Sequence, residues 1–286
     1  MVWEKHQIWW YDAGRLLAQA IFSACVVSGV AHANADWKSL APGLDLAVVV
    51  AKTPSPVGDS RIAVVRIDPK SWQLDLIGRS RTGESTGQTA REWAKGHDLA
   101  VAINAGMFDA DYTTHTGYME SGGHVYSRTI KGYQSVAVFD PREPQNRPPF
   151  RIFDLDAPGI TMESIRREYA SLVQNLRLIK RPGTNRWSQQ AKKWSEAALG
   201  EDTEGRILLV FSRSPFSMPD FIQELLSAGI GLVAAQHLEG GPEAQLYVKV
   251  GDVELELFGS YETGFRADDG NATAWPIPNV LGIRRK

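Results

Sequence analysis

The sequence predicts an α+β fold, a single domain of mixed β-sheet with interspersed helices, preceded by a signal peptide. Runs rich in valine, isoleucine and leucine recur from residue 46 onward, each bounded by Pro, Gly, Asp or Ser, which is the pattern of strands. Several of these runs are apolar at consecutive positions, as expected for strands covered on both faces. Capped helical segments fall between them at irregular intervals, which favours mixed sheets over a regular parallel barrel.

Residues 1–35 stand apart. Arg15 precedes the apolar stretch LLAQAIFSACVVSGVA, which leads into His32-Ala33-Asn34-Ala35 and then Asp36. The stretch falls short of the roughly 20 residues that span a bilayer. This layout is that of a secretory signal peptide cut before Asp36, with an uncleaved anchor helix as the alternative. Cys25, the single cysteine, lies inside this segment. Ser23 and Ala24 would suit a lipid-modified Cys25, but Phe22 and the apolar residues that follow it do not. A cleaved chain would have neither disulfides nor thiol chemistry. The expectation is a periplasmic or secreted protein with no stable membrane span after cleavage.

Beyond the signal, LAVVVAK (46–52), RIAVVRI (61–67) and WQLDLIG (72–78) read as strands. Thr89-Ala90-Arg91-Glu92 is a capping box that opens a helix, and Gly96 can close it. LAVAIN (99–104), QSVAVFD (134–140) and FRIFDLD (150–156) are further strands. MESIRREYA (162–170) reads as a helix and SLVQNLRLI (171–179) as a strand. QQAKKWSEAALG (189–200) has a helical pattern ending at Gly200, and RILLVFS (206–212) is a buried strand. Ser217-Met218-Pro219-Asp220 caps a helix that stops at Gly229. The strand IGLVAA (230–235) then leads to Glu239, placed just past its carboxyl end, and YVKVGDVELELF (247–258) is a hairpin about Gly251-Asp252. With no repeat and no linker, residues 36–286 form one expected domain.

The composition excludes several function classes. The chain of 286 residues carries 31 basic and 33 acidic side chains, a net charge of −2 without the electrostatic footprint of a nucleic-acid binder. Phosphate-binding loops, dinucleotide turns, nucleophile elbows and zinc-protease helices are missing. Past the signal the histidines are His97, His115, His124 and His237, none paired at zinc spacing. No cofactor is implied, and the sequence leaves a metal undetermined.

Polar residues interrupt three apolar strands. Asn104 closes LAVAIN, Asn175 and Arg177 lie within SLVQNLRLI, and Glu239 follows IGLVAA. Charged groups in such places are costly unless they are paired or face a cleft. The glycines Gly106, Gly240 and Gly241 beside them permit positive φ and a close approach of backbone to a ligand.

AINAGMFD (102–109) resembles the Asn-Ala/Gly-Gly-Phe/Met-Phe motif of the phosphodiester glycosidase family, which includes the lysosomal uncovering enzyme. HLEGGPEAQL (237–246) resembles that family's Leu-Asp-Gly-Gly-Gly-Ser motif. KWSEAALG and GRILLVFS are similar to the helix and strand before the second motif, and WPIPNVLGI to its terminal asparagine-containing strand. The likeness spans roughly residues 98–284. Glu239 stands where aspartate is usual, and Pro242 and Glu243 where glycine and serine are common.

The resemblance implies hydrolysis between a sugar's anomeric carbon and a phosphodiester oxygen, on a phosphodiester-linked sugar or glycan. Arg177 would bind the departing phosphate. Glu239 would activate water or steady the oxocarbenium-like centre, and Asn104 would orient a hydroxyl or the water. Gly106, Gly240 and Gly241 would bring backbone N–H groups to the substrate. Phe108, Asp109, His115, Glu120 and His237 are the remaining substrate-binding candidates. Two rivals stay open: a non-catalytic glycan-binding envelope protein on the same scaffold, and a metal-assisted phosphodiesterase using Asp109, Asp111 and Glu239.

Overall fold

In the computed structural model, residues 35–286 are described; the expected signal peptide and Cys25 lie outside the described residues. Strands are numbered along the chain. The first sheet has seven strands in the spatial order β1 (Lys38–Ala41), β2 (Leu44–Val50), β3 (Arg61–Ile67), β13 (Ile207–Phe216), β12 (Trp194–Asp202), β14 (Leu232–Gly240) and β11 (Arg177–Ile179). The second has five: β7 (His124–Ser127), β6 (Met119–Ser121), β10 (Tyr169–Asn175), β8 (Ser135–Pro141) and β9 (Phe150–Asp154). The third also has five: β16 (Val253–Phe258), β15 (Gln245–Val250), β5 (Val101–Asn104), β17 (Asn279–Arg285) and β4 (Trp72–Gly78).

The inner faces of all three sheets meet in one core. Val65, Leu199 and Leu209 from the first sheet pack with Phe139 from the second and with Leu76, Ile103, Leu246 and Leu281 from the third. The helices cover outer faces. On the first sheet, α4 (Met218–Ser227) places Phe221, Ile222 and Leu225 on Val64, Ala198 and Val210. On the third, α2 (Ala90–Gly96) buries Trp93 against Tyr247 and Val280. On the second, α3 (Met162–Glu168) contributes Ile165. The remaining helix, α1 (Arg79–Thr82), is a single turn after β4. None of the helices among the described residues is long and apolar enough to cross a membrane.

Two expectations need correction. The protein is mostly β-sheet with few helices, and the strand pairings are antiparallel rather than mixed. The segment read as a helix over 189–200 is, from Trp194 on, the strand β12, paired with β13 on one side and β14 on the other. Alanine, leucine and glutamate give it helical propensity, but that amounts to tenths of a kcal/mol per residue, and burial between two ladders overrides it. Gly200 is no helix stop. A Cβ there would lie 2.4 Å from Leu232 Cδ1, so its role is close packing.

Local signals elsewhere decide local structure. Thr89 accepts from the Glu92 N–H in a complete capping box, and Ser217 accepts from Asp220 N–H at the start of α4. The hairpin β15–β16 turns at Gly251, whose φ of 55° lies in the left-handed region. The amides of residues 196–201 should exchange only on global unfolding. Ala198→Pro should destabilise by about 1–3 kcal/mol through the ladder carbonyl left without a donor, measurable by denaturant titration; an unchanged midpoint would contradict a central strand here.

Candidate active site

β14 and β12 leave register near the end of β14. Ala198 pairs with His237 and Ala197 with Glu239, so Leu238 is the extra residue of a bulge. Bulges of this kind re-aim side chains where regular pairing is about to end. Glu239 therefore lies within the strand, not beyond it, and a 3-10 turn, Gly241–Glu243, follows directly.

His237 is buried, and its Nδ1–H donates to Glu196 Oε1 at 2.6 Å. The other Glu196 oxygen accepts from the Trp194 indole N–H at 2.6 Å. Burial works against an imidazolium, but Glu196, with Glu239 and Glu262 adding, holds the His237 pKa above its ordinary value. Glu239 accepts a hydrogen bond from Gly240 N–H at 3.0 Å. Burial pushes its carboxyl up to about 8, against the opposing pull of His237. Burial also raises Glu243 and Glu262, and the two repel where they face each other. Tyr112 closes the group, its hydroxyl 3.5 Å from Glu243 Oε1 and its ring 5.2 Å from that of Phe108. Burial also raises the Glu196 carboxyl, against the pull of His237, so a tightly coupled His237–Glu196 pair stands beside a carboxyl that keeps its proton at neutral pH.

Glycine is required twice in the loop. At Gly240 a Cβ would stand 2.6 Å from Trp194 Cδ1. Gly241 has φ 64°, and a Cβ there would stand 2.6 Å from Glu262 Oε2.

The two polar motifs are stitched together from opposite sides. Asn104 Nδ2 donates to Glu243 O at 2.8 Å, and Asn104 Oδ1 accepts from Gln245 N–H at 2.7 Å. Both ends of this carboxamide are thus committed to holding the 3-10 turn against β5. Asn175 Nδ2 donates to Ala105 O at 3.0 Å, while the next residue, Leu176, accepts from the His237 N–H at 2.9 Å. Asn175 Oδ1 is buried without a partner and faces Gly106, where a Cβ would lie 2.3 Å from it. His115, fully buried, donates its Nε2–H to Gln174 O at 2.9 Å, and burial lowers its pKa to about 4.

Other candidates are placed elsewhere. Arg177 is closed off by Asp154 at 3.2 Å and Asp156 at 2.7 Å, so its guanidinium is spent in an ion pair between the first and second sheets. Glu120 accepts from the Tyr118 hydroxyl and pairs with Arg166 of α3 at 3.4 Å, against the second sheet. Asp109 is exposed in the loop, and Asp111 is held by Thr113 and Thr114. Among the described residues no three His, Cys, Asp or Glu are grouped so as to hold a metal ion. Sequence reasoning missed Trp194, Glu196, Glu243, Glu262 and Tyr112. Trp194 and Glu196, two apart, point to one side of a strand, a signal concealed by the helical reading of their segment.

The phosphodiester glycosidase family profile matches residues 97–284, more than half of the chain. The chain belongs to the phosphodiester glycosidase family. Membership carries a glycosidase type of hydrolase function at the level of the family. The fold is similar to the catalytic domain of zebrafish N-acetylglucosamine-1-phosphodiester alpha-N-acetylglucosaminidase, a structure auto-inhibited by its pro-peptide. The TM-score is 0.62 and the identity 15%, over 88% of this chain and 87% of that one. It is also similar to a hypothetical protein from Synechocystis, with TM-score 0.58 and 15% identity, over 88% of this chain and 64% of the other. No curated protein matches the sequence.

The positions that depart from the family's second motif have a local role. Pro242 lies in the first turn of the 3-10 helix, and Glu243 adds a carboxylate to the cluster that serine would not. Asn104→Asp should keep the acceptor for Gln245 N–H, lose the donor to Glu243 O, and lower both melting temperature and turnover. The Glu239 shift also sets a sign. Its folded pKa lies above the unfolded value, so its contribution to stability is full below about 4.5 and is lost as pH rises through about 8. Glu239→Gln should therefore melt above the native chain at pH 8 and level with it at pH 4; equal melting at both would show that Glu239 is not desolvated.

Proposed function

We propose that the chain is an exported phosphodiester glycosidase that hydrolyses the sugar C1–O bond of a sugar-1-phosphodiester in an envelope or extracellular glycan. The observation that carries this reading is Glu239, a carboxyl with a pKa of about 8 at the end of β14, beside the buried His237–Glu196 pair. A carboxyl with that pKa is an acid at neutral pH. It is suited to give its proton to the departing oxygen as the C1–O bond breaks. This differs from the expectation that Glu239 activates water. That task falls to Glu243 or Glu262, one of which, when ionised, would also steady a developing oxocarbenium ion. Aromatic edges favour a sugar at this place: Phe265, in the turn that begins at Glu262, is exposed and meets Trp275 at 6.1 Å. Export rests on the layout of residues 1–35.

The test is release of free sugar from a panel of N-acetylglucosamine-1-phosphodiesters by the purified chain. Glu239→Gln should lose about 10²- to 10⁴-fold in turnover. Native turnover should fall as pH rises through about 8, because the acid is then deprotonated. Equal release by a folded Glu239→Gln variant would remove that residue from the chemistry. Saturable glycan binding without release would favour the glycan-binding envelope protein.

A further inference from the structure

The proposed reaction delivers an anion to a strongly acidic place. Glu196, Glu239 and Glu262 act on one imidazole, Glu243 adds its charge beside Glu239, and Arg177 is held away by Asp154 and Asp156. A phosphodiester needs a cation close by, outside the carboxylate cluster. A cavity of about 340 Å³ adjoins the cluster and is lined by Arg79, Ser85, Thr86, Gly87, Tyr112 and Trp275. Arg79 is the charged side chain among these.

Arg79 donates to four neutral oxygens: Tyr112 O at 2.9 Å, Thr113 Oγ1 at 2.8 Å, Glu84 O at 3.4 Å and Ser85 O. A guanidinium has five N–H groups. One Nη2–H is left over, and no carboxylate lies within ion-pair distance among the described residues. Asp111 is near enough to feel its charge, but that carboxylate is engaged by Thr113 and Thr114. The four bonds fix the guanidinium in place while leaving its charge unmatched, as an anion site requires.

The cavity and the acidic cluster share an aromatic wall. Tyr112 lines the cavity and carries its hydroxyl to 3.5 Å from Glu243. Trp275 lines it too, its carbonyl accepts from Gln245 Nε2, and its ring meets Phe265 beside Glu262. Through its backbone N–H, Gln245 is bound to Asn104 Oδ1, so the wall is anchored to the same bracket as the acid loop. We propose that this cavity is the phosphate subsite of the active site, with Arg79 as the residue that receives the phosphoryl group. The sugar then occupies the carboxylate side, and the scissile bond crosses the wall at Tyr112. This inference rests on the glycosidase reading and names where its leaving group sits.

The experiment is a calorimetric titration of the full chain with phenyl phosphate, alongside sugar release from the diester panel. Arg79→Gln should weaken phenyl phosphate at least about tenfold, as loss of a charge-assisted contact does, and raise KM for the diester more than it lowers kcat. Arg79→Lys should recover part of the affinity. Thr86→Trp leaves all four Arg79 bonds in place and fills the cavity, so it should also abolish binding, which covers the case in which Arg79→Gln fails to fold. No binding of phenyl phosphate by the native chain, or unchanged affinity in the folded variants, would overturn the subsite. Sugar release with phosphate affinity unmoved by Arg79→Gln would overturn the subsite alone. Phosphate binding that depends on Arg79, with no diester hydrolysed, would sustain the anion site and sink the glycosidase reading.

Discussion

The end of β14 gathers more carboxyl groups than it can ionise. Glu196, Glu239, Glu243 and Glu262 converge where burial raises each of them, and a single buried imidazole is set among them. Desolvation and mutual repulsion both disfavour a second and third negative charge. The least costly arrangement gives the imidazole one carboxylate as its partner, Glu196, and leaves Glu239 protonated. That division of roles follows from position alone: Glu196 has both oxygens hydrogen-bonded, to His237 and to Trp194, whereas Glu239 has one backbone N–H. The acid chemistry proposed for this site therefore depends on keeping water out and backbone in place.

Keeping the backbone in place is the task of two asparagines. Asn104 ties the 3-10 turn to the third sheet, and Asn175 ties the second sheet to the first motif, while its neighbour Leu176 receives the N–H of His237. Three sheets thus meet at the site through carboxamides and carbonyls, none of which changes charge with pH. Gly106, Gly240 and Gly241 permit that approach because a Cβ at any of them would collide with Asn175, Trp194 or Glu262 respectively.

The cations are distributed in the opposite sense. Arg151, Arg177 and Arg181 are drawn into ion pairs with Glu201 and Asp154, of which Arg151–Glu201 and Arg177–Asp154 join the first sheet to the second. Partly buried charge pairs like these fix the relative placement of sheets more than they add net stability. Arg79, which among the described residues is bonded to neutral oxygens, keeps its charge at the edge of the acidic cleft. An anionic leaving group and a carboxyl acid can be held side by side only if the compensating cation stands apart from the acid.

Much of this was legible in the chain itself, for identifiable reasons. The capping box at Thr89, the N-cap at Ser217, the hairpin at Gly251 and the apolar runs at 61–67, 99–104 and 206–212 are local codes, and local geometry satisfied them. The two motifs were visible because each sets glycine beside a polar residue at a strand end and resembles a motif of the family. The surroundings of Arg177 are not contained in the sequence: its partners Asp154 and Asp156 are 23 and 21 residues away and arrive from the end of β9 and the turn after it. Glu196 was hidden because Trp194–Asp202 has helix-favouring residues, and only pairing with β13 and β14 makes it a strand. The sequence by itself determined the family, the strands at 61–67, 99–104 and 206–212, the caps at Thr89 and Ser217, and the carboxyl and glycines of the second motif. The tertiary structure alone decided which polar groups meet, because pKa and charge pairing depend on distance through space and on burial, and neither is fixed by separation along the chain.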